Sequence, residues 1–327
     1  VQLSGRLGRK PRPVKAPRAA RARHITWMLA LPAGITRPMG AGALGDAALG
    51  RAGPTPVSQE LPSMEPAGSA EPELLLRDEG PVRVLTLNRP ERVNALNASL
   101  KAQLVEALFA AEDDPTVRVI VLTATGPTFC GGIDLKDRAA DDARGEGMRA
   151  PTRGPLKYHS EVMLETWKPT IAAVEGAAVG AGLELVLACD MRVIGESATF
   201  VFPEVKRGTG GQFPITILPR VAGTALAFEM LYTGDPIGAD RALAAGLVNR
   251  VVPDGSALTA ALELAGRIAA NAPVSLRRIK ETMVRANGLP LAVALRLNEG
   301  MSPYDSEDRR EGIRSFVEKR PPVWRGK

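Results

Sequence analysis

Histidine and cysteine are almost missing from this chain of 327 residues: His24, His159, Cys130 and Cys189 are all there is. Four such residues, scattered along the chain, build no metal-ligand spacing, and two isolated thiols fit a reducing compartment. A Cys130–His159 nucleophile pair is formally possible, but a free cysteine is more often a buried apolar group. A Ser–His–Asp triad would have to use His159, and no G-x-S-x-G elbow accompanies it. Long apolar runs are also lacking. Ile25–Leu31 is closed by Pro32 and is too short to span a bilayer, which excludes a membrane segment.

Acidic residues are scarce at one end only. Residues 1–63 hold ten Lys or Arg against Asp46 and Glu60, whereas the remainder holds 32 basic and 34 acidic residues. The net charge of +6 and the pI near 9.5 therefore report the tail. The rest is close to neutral and carries no nucleic-acid-binding charge. The tail, "GRLGRKPRPVKAPRAARARH" and onward, is rich in Arg, Pro and Gly without apolar periodicity and reads as poorly ordered. It is either an over-extended start, with Met64 as the natural beginning, or an organelle transit peptide. The first reading implies a cytoplasmic protein, the second a mitochondrial one.

What is present is a globular sequence, 45% hydrophobic, enough for one large or two ordinary domains. "PVRVLTLNRP" alternates over Val82–Leu87 and predicts a strand ending at Pro90. Asn94–Ala111, with Leu96, Leu100, Leu104 and Leu108 at four-residue spacing, predicts an amphipathic helix. Val117–Thr123 and "TIAAVEG" predict buried strands, Ala181–Ala188 a helix, and "MRVIGESATF" a strand, turn and strand. From Leu218 onward helical patterns dominate, among them Ser256–Asn271, Pro273–Asn287 and Glu307–Glu318. This order predicts an α/β core with a helical C-terminal region: a tail over 1–70, a core over 71–265 and helices over 266–327. Residues 137–160, charged and glycine-rich, predict a long loop, either a solvated excursion or a functional segment.

Two segments share one design: apolar strand, glycine turn, helix start. They are "VIVLTATGPTFCGGIDLKD" and "IAAVEGAAVGAGLELVLACD". Glycine permits close approach of a backbone, and a helix's first turn has unpaired N–H groups. Two such turns face to face would offer two donors to one oxygen, as an oxyanion hole does. The second turn reads G-x-x-x-G-x-G, which is not the dinucleotide-binding spacing G-x-G-x-x-G. It also holds Glu184, an acid in an otherwise apolar run. Such an acid either complements the helix dipole or serves chemistry. Glu204 in "ATFVFPEVKRG" is a second acid in a similar setting, at a loop entry. Two carboxylates meeting in an apolar pocket cannot both ionise easily, so they can divide acid and base roles.

Together, "LNRPERVNALN", "FCGGIDLK", "EGAAVGAGLELVLACDMRV", "ATFVFPEVKRG" and "SEDRREGIRSFVEKRPPVW" resemble the enoyl-CoA hydratase/isomerase (crotonase) superfamily, in order and spacing, from about Glu73 to Lys327. The resemblance implies a spiral of ββα turns with C-terminal helices used for trimerisation, as a homotrimer or a dimer of trimers. It implies acyl-CoA substrates, with coenzyme A carried as the thioester and no prosthetic group. The oxyanion donors would be the backbone N–H groups of Ile133 and Ala181. Ile133, Asp134, Leu135 and Lys136 would line the CoA cleft, Arg92 and Val93 would approach the adenine and pantetheine, and Lys280, Phe316 and Lys319 would be further CoA contacts. Glu184 and Glu204 align with the family's two hydratase glutamates, which implies reversible hydration of a trans-2-enoyl-CoA to a 3-hydroxyacyl-CoA.

Two departures bear on the acyl pocket. Gln212, Phe213 and Pro214 occupy a usually glycine-rich stretch, and "CGGID" stands where A-G-A-D is more usual. The alternatives are an isomerase, a carnitinyl-CoA-type dehydratase or a thioester hydrolase of the same fold. From other classes, they are an RNA-binding protein acting through the tail and a non-catalytic scaffold subunit.

Overall fold

The computed structural model describes residues 72–143, 158–298 and 300–327. The tail over 1–70, with its start-site, targeting and RNA-binding readings, lies outside them, as does the middle of the 137–160 stretch. Pro66–Lys327 group into one compact unit, and the division expected at 265/266 falls inside it.

The strands are β1 (Leu74–Glu79), β2 (Val82–Leu87), β3 (Val119–Ala124), β4 (Thr170–Val174), β5 (Ala177–Val179), β6 (Met191–Gly195), β7 (Thr199–Val201), β8 (Ile237–Gly238) and β9 (Arg250–Val252). The helices are α1 (Ala98–Asp113), α2 (Leu135–Ala143), α3 (His159–Leu164), α4 (Ala181–Ala188), α5 (Gln212–Ala222), α6 (Thr224–Thr233), α7 (Ala239–Ala244), α8 (Ala257–Ala269), α9 (Pro273–Ala286), α10 (Leu291–Ala294) and α11 (Glu307–Glu318). The long loop expected from Asp137 is corrected at both ends: α2 runs through Ala143 and α3 starts at His159.

A six-stranded sheet runs β1-β2-β3-β4-β6-β9, and a three-stranded one runs β5-β7-β8. The hairpin β1–β2 is antiparallel, and every other pair in the larger sheet is parallel. Parallel strands covered on both faces read as near-continuous apolar runs, which is how β3 and β4 look. Their side chains still alternate. Val82, Val84, Val119, Val121, Ile171, Ala173 and Val193 pack against Ala257, Ala261, Ala265 and Ala269 of α8. That four-residue alanine stripe lets the helix lie close to the sheet. Leu85, Leu87, Ile120, Leu122, Ala172, Val174 and Ile194 face the opposite way, with Leu100, Leu104 and Leu108 of α1 and Leu183 and Leu187 of α4. Each such leucine contributes roughly 1.5–3 kcal/mol by leaving water.

The chain repeats one unit. A strand of the large sheet is followed by a short strand or bridge in an inner ladder, then by a helix: β4, β5 and α4, then β6, β7 and the 3-10 turn Pro203–Arg207. Earlier units use single bridges, Leu96 with Ile133 and Cys130 with Ala178, in place of inner strands. This is the spiral of ββα turns. Its inner ladder brings both glycine loops together, although they lie far apart in sequence.

Candidate active site

The second glycine loop ends in α4. Gly180, its N-cap, adopts φ 52° and ψ −119°, which glycine tolerates and other residues rarely do. The first turn then presents the Ala181 N–H, which donates to no group among the described residues, as helix starts require. The first loop supplies the second free donor. Leu96 N–H donates to Gly132 O at 2.7 Å and Asp134 N–H to Leu96 O at 3.2 Å. This bridge uses the groups flanking Ile133, so its own N–H turns to the other side. There it too finds no acceptor among the described residues.

The inner ladder sets the spacing of these donors. Cys130 N–H donates to Ala177 O at 3.1 Å and Val179 N–H to Cys130 O at 2.9 Å. Gly132 has φ 93°, and a Cβ on it would lie 2.9 Å from Val179 O and 3.6 Å from Ala181 N. Two unpaired donors on abutting loops can hold one oxygen that gains negative charge.

Glu184 is only 8% exposed. Burial, then the neighbouring Glu204, pushes its pKa up to about 7; Glu161 adds to this and Ser160 opposes it. The β5–β7 ladder explains the meeting with Glu204. Val179 pairs with Val201, and Gly180 N–H donates to Val201 O at 2.9 Å. The following turn then lays Glu204 over Gly180, where a Cβ would be 2.5 Å from Glu204 Oε1. Oε2 of Glu204 is buried without a hydrogen-bond partner among the described residues. Desolvation raises its pKa, with its own backbone N–H and Arg207 in partial opposition. The start of α5 closes another side. A Cβ on Gly211 would lie 2.9 Å from the Pro214 ring and 3.0 Å from Glu184 Oε1. Pro214, in the departing stretch, is thus packed next to the acid pair. Its place in the first turn of α5 costs no intrahelical bond.

The CoA-side residues divide. Val93, half exposed at φ 48°, lies against the first glycine loop: its carbonyl accepts from Gly131 N–H at 2.8 Å. Arg92 is exposed in the adjoining 3-10 turn Pro90–Arg92. Asp134 meets Arg89 at 3.4 Å, while Leu135 and Lys136 are exposed at the start of α2. Lys280 is held within the fold. It is 5% exposed, paired with Asp190 at 2.9 Å and bonded to Lys168 O at 3.1 Å, so the fold itself occupies its ammonium. Phe316 and Lys319 are exposed on α11 and at its C-cap. Phe316 lines a groove of about 840 Å³ with Arg278, Ile279, Tyr304, Ile313 and Trp324, on elements other than those carrying the glutamates.

Several residues escaped sequence reasoning. Asn94, fully buried at φ 55°, donates to Thr125 O and Thr128 O at 2.8 Å each and accepts from Arg89 N–H at 2.7 Å. It staples "LNRPERVNALN" to the glycine loop; an asparagine tolerant of positive φ just after a proline turn is the signal for it. Tyr158, Ser160 and Glu161, around the start of α3, lie near enough to Glu184 to influence its charge and carry no local signal. His159 is buried, and burial pushes its pKa down to about 4, while burial pushes the Cys130 thiol up to about 12. Cys130 Sγ–H donates to Asn94 O at 3.1 Å. The thiol is thus protonated and structural. No cluster of metal-ligating side chains exists among the described residues.

The family described as enoyl-CoA hydratase/isomerase matches residues 77–327. The chain is 36% identical over 257 residues to enoyl-CoA hydratase EchA19 of Mycobacterium tuberculosis, covering 77% of this chain and 96% of that one. It is 37% identical over 259 residues to 2,3-dehydroadipyl-CoA hydratase of Escherichia coli, covering 78% and 99%. Among solved structures, an enoyl-CoA hydratase from Bacillus anthracis superposes with a TM-score of 0.71 at 32% identity, covering 78% of this chain and all of that one.

Proposed function

The chain belongs to the enoyl-CoA hydratase/isomerase family, and from that we propose a hydro-lyase that adds water reversibly to a trans-2-enoyl-CoA, giving a 3-hydroxyacyl-CoA, with Glu184 and Glu204 as its acid–base pair. One observation carries the assignment of residues. Glu184, 8% exposed, has Glu204 as its charged neighbour, and Glu204 rests on Gly180, directly before the unpaired Ala181 N–H and across the abutting loop from the unpaired Ile133 N–H.

The thioester oxygen accepts from the N–H groups of Ile133 and Ala181. Water, held by the carboxylate that is ionised, loses a proton to it as the water oxygen bonds to C3. The C2–C3 double bond becomes an enolate, whose charge the two donors stabilise. The carboxyl that is protonated delivers its proton to C2, and the thioester carbonyl re-forms. One proton shared by two acids suffices, and the pair titrates as a unit. The coenzyme A moiety lies along Val93, Arg92 and the Asp134–Lys136 edge of the first loop.

The exposed apolar side chains of the C-terminal helices, Leu291, Leu295, Ile313, Phe316 and Val317, suit burial against further copies of the chain, as a homotrimer or a dimer of trimers. Phe316 and Lys319 then reach CoA across such an interface. No helix among the described residues is long and apolar enough to cross a membrane. Two buried, unbridged thiols fit a cytoplasmic setting.

The test is incubation of the full chain with crotonyl-CoA, following loss of the enoyl-thioester absorbance and weighing the product. Gain of one water is expected. A shifted double bond, or free CoA, would instead assign an isomerase or a thioester hydrolase.

A further inference from the structure

Ser160 is fully buried in α3, and its Oγ has no hydrogen-bond partner of normal geometry among the described residues. Its neighbours on the helix are accounted for: Thr166 Oγ donates to Val162 O at 2.9 Å, and Glu161 accepts from Tyr158 N–H at 2.9 Å. A buried hydroxyl left unpaired is destabilising, so its presence needs an explanation. α3 packs on α4, the helix that carries Glu184, and the Glu184 carboxylate lies within the Ser160 hydroxyl's influence.

We propose that Ser160 is a positioning residue for the glutamate pair: its hydroxyl rotates to donate to the Glu184 carboxylate and fixes which oxygen faces the reacting carbons. This rests on the assignment of Glu184 to the acid–base pair. The charged surroundings of Glu184 make the hydroxyl's contribution distinctive. Glu204 faces it from the turn after β7, with Arg207 near Glu204; Glu161 and Tyr158 face it from the start of α3, with Arg138 near Tyr158; α5 contributes Gly211 and Pro214. The carboxylates and burial favour the protonated form of Glu184. Among these contacts Ser160 alone favours the ionised form. A rotatable donor serves both states, since it bonds the carboxylate and releases the carboxylic acid.

The experiment follows the Glu184 carboxyl by carbon-13 NMR in the full chain labelled at glutamate, with Glu184→Gln to assign the signal. Ser160→Ala should move its midpoint upward by about one pH unit and carry the low-pH limb of kcat/KM with it, leaving the melting temperature at pH 4 unchanged. Ser160→Cys, nearly isosteric with a weaker donor, should give a smaller shift in the same direction and covers the case of an unfolded alanine variant. In the Glu184→Gln background, Ser160→Ala should change the residual rate less than twofold. An unmoved midpoint in a folded variant overturns the proposal. A wild type that hydrates no enoyl-CoA overturns the functional reading instead, and the titration still decides whether Ser160 serves Glu184.

Discussion

The carboxylate of Glu204 rests on the bare Cα of Gly180: a methyl group there would lie 2.5 Å from Oε1, well inside contact distance. Gly180→Ala must therefore displace the acid, and it also forces alanine to φ 52°. We expect kcat to fall about 100-fold, the scale of an ångström's misplacement, with little change in CoA-ester affinity. Steady-state kinetics beside a binding titration will separate the two.

Removing either acid tests the pair directly. Glu184→Gln and Glu204→Gln should each lower kcat by about 10²–10⁴-fold. Thermal stabilisation by a 3-hydroxyacyl-CoA should persist in both, because neither side chain holds the coenzyme.

The acids also set a pH dependence of stability. The native pKa of Glu184, about 7, lies above its unfolded value, so the native state keeps a proton that the unfolded chain has released. Stability from this group is complete below the ordinary glutamate pKa and is lost as pH climbs to about 7. Glu184→Gln removes that loss. It should stabilise the protein at pH 8 by on the order of 1–3 kcal/mol and leave it unchanged at pH 4, as urea unfolding at the two pH values will show.

Gly132→Ala addresses the other half of the site. At φ 93°, with its Cβ 2.9 Å from Val179 O, alanine would push the two glycine loops apart. A loss of about 10²–10³-fold in kcat is expected, with the glutamate titrations unaltered.

Lys280 distinguishes scaffold from ligand contact. Its ammonium answers Asp190, itself bonded to Thr170 N–H at 2.8 Å. Lys280→Met should lower unfolding stability by about 2–4 kcal/mol while KM for the CoA ester stays within twofold. A large rise in KM without destabilisation would return Lys280 to the CoA site.

Strong local patterns carried most of the fold. Val82–Leu87, Ala181–Ala188 and Glu307–Glu318 stand where periodicity placed them. The helix expected from Asn94 begins at Ala98 because Asn97 caps it, accepting from Leu100 N–H at 2.7 Å, while Asn94 is committed to the glycine loop. The strand β5, three residues of Ala-Ala-Val inside a glycine cluster, is too short for any period to reveal. The glutamates were legible as acids in apolar runs, but their meeting depends on pairing between β5 and β7, which is tertiary. Ser160 was invisible for the same reason, since nothing in "YHSEVML" says which residue faces α4.

In the proposed site the anion-binding half is made of peptide groups beside the inner ladder, and the acid–base half is made of two side chains. Point mutation can exchange a side chain in one step, whereas a peptide N–H survives almost every substitution except proline. Divergence in this architecture is therefore lopsided. On the proposed assignment, enolate stabilisation would tolerate most substitutions at Ile133 and Ala181, whereas any change at Glu184 or Glu204 would alter the acid–base chemistry.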